Sequence, residues 1–217
     1  MVGLIASSLA YGRVAQILNS TSAVLKKMGP SPYQFLRDAT PASLKGNFPD
    51  FKHRFTTADE LVAMLLGIKA VIEQYGTLYE CLLSSFNQKD ATVLPGLSFL
   101  VSELTKGFNG HYNSLLPLPE KGSACKRLNL FLRWMVRQDH VDPGGWNEVP
   151  PDKLIVPLDT HMHRFSILLK LTRRKNADMR TAEEITDAFR KIAPQDPVRY
   201  DFALTRLGIL SLGDVID

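Results

Sequence analysis

The sequence predicts an all-helical protein, and three observations carry that prediction. Apolar residues recur at helical spacing along most of the 217 residues. Alternating runs rich in Val, Ile and Thr, the mark of half-buried strands, do not occur at useful length. Helix start and stop signals fall where the periodicity breaks. The chain is 45% hydrophobic and 22% charged, ordinary for a globular protein and enough for one large core or two smaller lobes. A net charge of +4 permits a polyanionic partner but is less than a purely electrostatic binder carries.

The elements follow in order. Residues 2–10 predict a helix; its apolar start superficially resembles a signal peptide, but a basic leading region is missing and the pattern runs straight into helical periodicity. It begins without a cap, so a short lead-in is expected upstream. A second helix spans 13–28. Gly29-Pro30-Ser31-Pro32 ends it and starts a third over 31–38. Residues 39–56 read as irregular. Thr57-Ala58-Asp59-Glu60 has the form of a capping box and opens a helix over 57–75. Helices over 77–87, 92–107 and 123–138 follow, then an irregular stretch over 139–158. Asp159 opens a helix over 159–171. A second box, Thr181-Ala182-Glu183-Glu184, opens 181–192, and Asp196-Pro197 opens 197–211.

Other features exclude function classes. No segment reaches the ~18 apolar residues of a membrane span. Cys81 and Cys125 form no CxxC pair, which removes a zinc ribbon or a four-cysteine iron–sulfur cluster within this chain. Both lie in apolar helical patterns and read as buried free thiols, as suits a reducing cytoplasm.

Two stretches carry chemistry. In the first, Leu118-Pro119-Glu120-Lys121-Gly122 precedes a helix for which Ser123 is the expected cap. Ala124, Leu128, Phe131 and Met135 form its apolar stripe, and spacing of about 100° per residue puts Lys126, Arg133 and Arg137 on the opposite face. Lys126 falls in the first turn, where the helix dipole disfavours a cation. An amine that gives up its proton readily can act as a nucleophile. A solvated basic face is the alternative. Backbone N–H groups beside Gly122 could also hold a phosphate.

In the second stretch, the apolar run Leu154-Ile155-Val156-Pro157-Leu158 delivers Asp159 to a helix start, followed by Thr160, His161, Met162, His163 and Arg164. Asp159 can be a helix cap, a catalytic carboxylate or both. Asp159, His161 and His163 also invite a metal reading. Residues two apart on a helix diverge by about 200°, so they do not readily share one ion, and no metal or other cofactor is expected.

These stretches carry a resemblance. Asp159-Thr160-His161-Met162-His163-Arg164 resembles the catalytic-aspartate segment of helix-hairpin-helix DNA glycosylases. Leu118-Pro119-Glu120-Lys121-Gly122 is similar to that superfamily's Leu-Pro-Gly-x-Gly hairpin, with the middle glycine replaced. The start, Leu4 to Arg13, is similar to its early helix pair. Lys126 lies further past the hairpin than is usual, and the stretch from Lys126 to Asp159 is longer than usual. The second departure makes the chain most similar to the archaeal 8-oxoguanine branch. The Leu-Ala-Tyr-Gly-Arg and Pro-Leu-Asp-Thr-His runs also resemble an uncharacterised bacterial protein family along nearly the whole chain.

The resemblance implies a single two-lobed helical domain and a cytoplasmic, monomeric base-excision-repair enzyme acting on double-stranded DNA with a damaged base. Lys126 and Asp159 would be catalytic. Lys121, Gly122, Ser123, Arg133, Arg137, His161 and Arg164 would contact DNA, with Arg13, His53 and Arg54 as further phosphate candidates. Trp134, Trp146, Phe108 or Tyr112 would stack on the flipped base; ordinary core packing is the alternative for each. A binding module of the same fold without the chemistry, or a metal-dependent hydrolase built on Asp159, His161 and His163, are the competing functions.

Overall fold

The computed structural model describes the backbone of residues 1–108 and 113–211, and side chains as far as Arg206. Among these residues the regular elements are helical. Eleven α-helices occur, with three short 3-10 turns and three isolated bridges in place of any sheet. The chain divides into two compact units, Met1–Asn87 with Gly96–Pro117, and Gln88–Pro95 with Leu118–Asp217.

In the first unit the helices are α1 (Val2–Ser8), α2 (Val14–Met28), α3 (Pro32–Asp38), α4 (Pro41–Asn47), α5 (Ala58–Tyr75), α6 (Leu78–Leu83) and most of α7 (Leu94–Thr105). The long α5 forms the centre of this core, burying Leu61, Met64, Leu65 and Ile68 completely. The expected box starts it. Glu60 N–H donates to Thr57 Oγ1 at 3.3 Å, and Thr57 N–H donates to Glu60 Oε2 at 3.0 Å. Helix α7 packs against α5 at Gly67, where an added Cβ would stand 2.0 Å from the Leu104 carbonyl oxygen.

The stretch 39–56, read as irregular, contains α4. Thr40 caps it, accepting from Ser43 N–H at 3.1 Å while Ser43 Oγ accepts from Thr40 N–H at 2.9 Å, and Pro41 sits in the first turn. The helix buries only Leu44, too little to leave a periodic signal.

The second unit holds α8 (Lys126–Val136), α9 (Thr160–Leu168), α10 (Met179–Arg190) and α11 (Asp201–Ser211). Phe131 and Leu132 of α8, the run Leu154–Val156, Met162 of α9 and Ile185 of α10 are buried. Three starts differ from expectation. Helix α8 begins at Lys126, because Cys125 takes a left-handed conformation (φ 46°, ψ 37°) that breaks the helix there; Ser123 does not cap it. Helix α10 is capped by Asp178, which accepts from Thr181 N–H at 2.9 Å, while the Thr181 hydroxyl donates to the Asn176 carbonyl. Helix α11 starts at Asp201, four residues after the expected proline start, because 196–200 close into turns. No helix of the described residues is long and apolar enough to cross a membrane.

Candidate active site

The segment before α8 is a tight turn. Pro119–Lys121 form a 3-10 turn, and Gly122 ends it in the left-handed region at φ 78°. The Gly122 carbonyl accepts from Met179 N–H at 3.0 Å, and Ser123 bridges to Asp178. This ties the hairpin to the start of α10. Lys121, Gly122 and Ser123 all remain exposed, as candidate phosphate contacts must.

The buried run Leu154–Leu158 threads through the second unit, with Val156 N–H donating to Thr186 Oγ1 at 3.0 Å. It delivers Asp159 to the N-cap of α9. One carboxylate oxygen, Oδ1, accepts from Met162 N–H at 2.8 Å. The other, Oδ2, lies 3.8 Å from Lys126 Nζ, the first residue of α8. The two side chains are 34% and 19% exposed, so both are reachable. They share a cavity of about 220 Å³ with Leu130, Arg133, Pro157 and the start of α11. The two residues singled out on separate motifs therefore meet in one pocket.

Helix α11 adds groups that sequence reasoning assigned no role: Asp201, Phe202, Thr205 and Arg206 line the same cavity. Asp201 is buried and bonded to Arg133 Nη1. Burial pushes its carboxyl up to about 6, helped by the nearby Asp159 charge and opposed by Arg133 and Lys126. The only sequence signal was an acid at a helix start with a threonine four residues on, a common pattern.

Arg133 and Arg137 do not form the solvent-facing basic surface expected of them. They are 3% and 9% exposed. Arg133 pairs with Asp142 and Asp201, and Arg137 with Asp139, Asp142 and Asp196. Both guanidiniums are engaged by carboxylates within the fold rather than standing free on the surface. Burial pushes Asp142 above the usual aspartate range despite both arginines. His53 is likewise fully buried. Arg164 is exposed and His161 half-buried in the first turns of α9.

The aromatic expectations also change. Trp146 is buried, edge-on to Phe131 with ring centroids 5.2 Å apart. Phe108 is buried in the first unit. Trp134 is half-buried. None of the three lines the Lys126–Asp159 cavity, whose exposed ring is Phe202. Tyr112 lies outside the described residues. Among the described residues no group of three or more His, Cys, Asp or Glu converges as a metal site; His163 Nε2 instead donates to the Arg174 carbonyl at 2.9 Å. Both cysteines are buried free thiols, Cys125 pushed up to about 11 and Cys81 to about 12 by burial.

Residues 1–210 match the model of a family described as "Protein of unknown function (DUF2400)". No curated protein and no solved structure matches the chain.

Proposed function

Starting from a chain that belongs to the DUF2400 family, we propose that it is a DNA N-glycosylase with lyase activity, excising an oxidised base such as 8-oxoguanine from duplex DNA. The observation that carries the reading is the Lys126 amine 3.8 Å from the Asp159 carboxylate in one cavity. It combines a nucleophile with a charge that can stabilise a sugar cation. The helix-hairpin-helix glycosylase resemblance supplies the substrate class.

The damaged nucleotide turns out of the stack to reach the pocket. The glycosidic C1′–N bond breaks, and the electron pair leaves with the base, which takes up a proton. The Lys126 amine, once it has given up its proton, bonds to C1′ and loses a second proton; the C1′–O4′ bond then breaks, its electron pair going to O4′, which takes up a proton, and a protonated imine joins Lys126 to the opened sugar. Asp159 Oδ2 faces the positive charge that develops on the sugar ring. Loss of the C2′ proton then expels the 3′ phosphate and cuts the strand. The exposed Lys121, Gly122, Ser123 and Arg164 would hold the backbone of the strand.

Borohydride tests the reading directly, because it reduces the imine to a stable protein–DNA adduct. With a panel of duplexes bearing oxidised purines, a covalent adduct is expected from the native chain and none from Lys126→Gln. An adduct that persists in Lys126→Gln would move the nucleophile to another lysine, Lys121 first. Tight binding with neither adduct nor base release across the panel would replace the enzyme with a DNA-binding module.

A further inference from the structure

The first unit carries a tight turn over residues 53–56, anchored by buried residues with an exposed tip. His53 and Thr56 bond backbone to backbone in both directions, His53 N–H to Thr56 O at 3.0 Å and Thr56 N–H to His53 O at 2.9 Å. This closes a two-residue turn with Arg54 and Phe55 at the tip. The first tip position of such a turn has positive φ and favours glycine or asparagine; here Arg54 occupies it at φ 55°.

The base of the turn is locked. The fully buried His53 ring donates through Nε2 to the Tyr11 carbonyl at 3.1 Å and meets Ser20 Oγ through Nδ1 at 2.9 Å. The Tyr11 hydroxyl donates to the His53 carbonyl at 2.8 Å. On this base the Phe55 ring stands 61% exposed, stacked on Tyr11 at 4.9 Å and 26°, with the Arg54 guanidinium 5.9 Å from the Tyr11 ring centre. A lone exposed phenylalanine is ordinary. One carried on a strained, anchored turn is different, since such strain persists only where the surroundings impose it, and it collects at working sites. Arg54 and Lys52 are exposed beside Phe55 in sequence, and the exposed Arg13 follows Tyr11, the ring on which Phe55 stacks. A rigid aromatic face beside cations matches a nucleobase and its phosphate.

We propose that the 53–56 turn is a DNA contact in which Phe55 stacks on a base at an opened step and Arg54 pairs with a neighbouring phosphate. This rests on the reading of the chain as a DNA-acting protein, and adds a contact surface in the first unit to the pocket of the second.

The test uses a duplex carrying 2-aminopurine beside a mismatch, with affinity read by anisotropy and stacking by quenching of the 2-aminopurine fluorescence. Phe55→Ala is expected to weaken binding about tenfold and to lose the quenching, while Phe55→Trp retains both. Circular dichroism of Phe55→Ala should match the native chain, because the ring lies mostly in solvent. Arg54→Gly, which suits the positive φ, should weaken binding several-fold at low salt. Native affinity and native quenching in Phe55→Ala would overturn the proposal. Borohydride trapping separates it from the enzyme reading. Loss of binding in Phe55→Ala, from a chain that traps no lesion, would uphold the turn and sink the glycosylase. Trapping with an unaffected Phe55→Ala would do the reverse.

Discussion

Asp159 has two oxygens with two tasks, and substitutions can separate them. Oδ1 caps α9 and Oδ2 faces Lys126. Asparagine caps helices about as well as aspartate but carries no charge. Asp159→Asn is therefore expected to slow base release about 100-fold in single-turnover assays, with an unchanged melting temperature. Asp159→Ala should lose in addition about 1 kcal/mol of stability. Asp201 gives a second expectation. Its carboxyl is raised from 3.8 to about 6 in the folded chain. A raised carboxyl contributes stability that is full below pH 3.8 and is lost as pH rises through about 6. Asp201→Asn keeps the shape and removes the titration. Its stability relative to the native chain should rise by roughly 2 kcal/mol from pH 4 to pH 7, measured by urea unfolding across that range. A constant difference would remove Asp201 as the titrating group.

The helices themselves were legible where an amphipathic stripe and a side-chain cap coincided. The Thr57–Glu60 box of α5 is the clearest case, because both partners lie within four residues of each other. Helix α4 was not legible, since its box uses Ser43 rather than an acid and its only buried residue is Leu44. The start of α8 was misplaced by the left-handed Cys125, a conformation that no residue preference announces. The contact of α5 with α7 yields a prediction of its own. At Gly67 a methyl group would stand 2.0 Å from a backbone oxygen, which cannot move aside as a side chain can. Gly67→Ala is expected to cost about 3 kcal/mol or more, despite alanine's better helix propensity. An unchanged urea midpoint would show that the two helices separate more easily than their packing implies.

Under the proposed function, a net charge of only +4 means that DNA affinity would come from placement of cations rather than their number. Arg133 and Arg137 are consumed by carboxylates, which leaves exposed residues such as Lys121 and Arg164 to meet phosphates. Binding to damaged duplex is expected to weaken roughly tenfold or more as salt rises from about 50 to about 200 mM; salt-independent binding would argue against phosphate contacts altogether. The sequence by itself determined that the chain is helical and most of the helix positions, and its short motifs marked Lys126 and Asp159 as candidates, because periodicity, caps and motifs act over a few residues. Tertiary structure alone decided that Lys126 and Asp159 share a cavity, that Asp201 joins them from α11, and that the arginines on the lysine's side of α8 are buried. The reason is physical. Helical spacing sets the direction in which a side chain leaves its own axis, whereas burial and pairing depend on which distant segment is packed over that face.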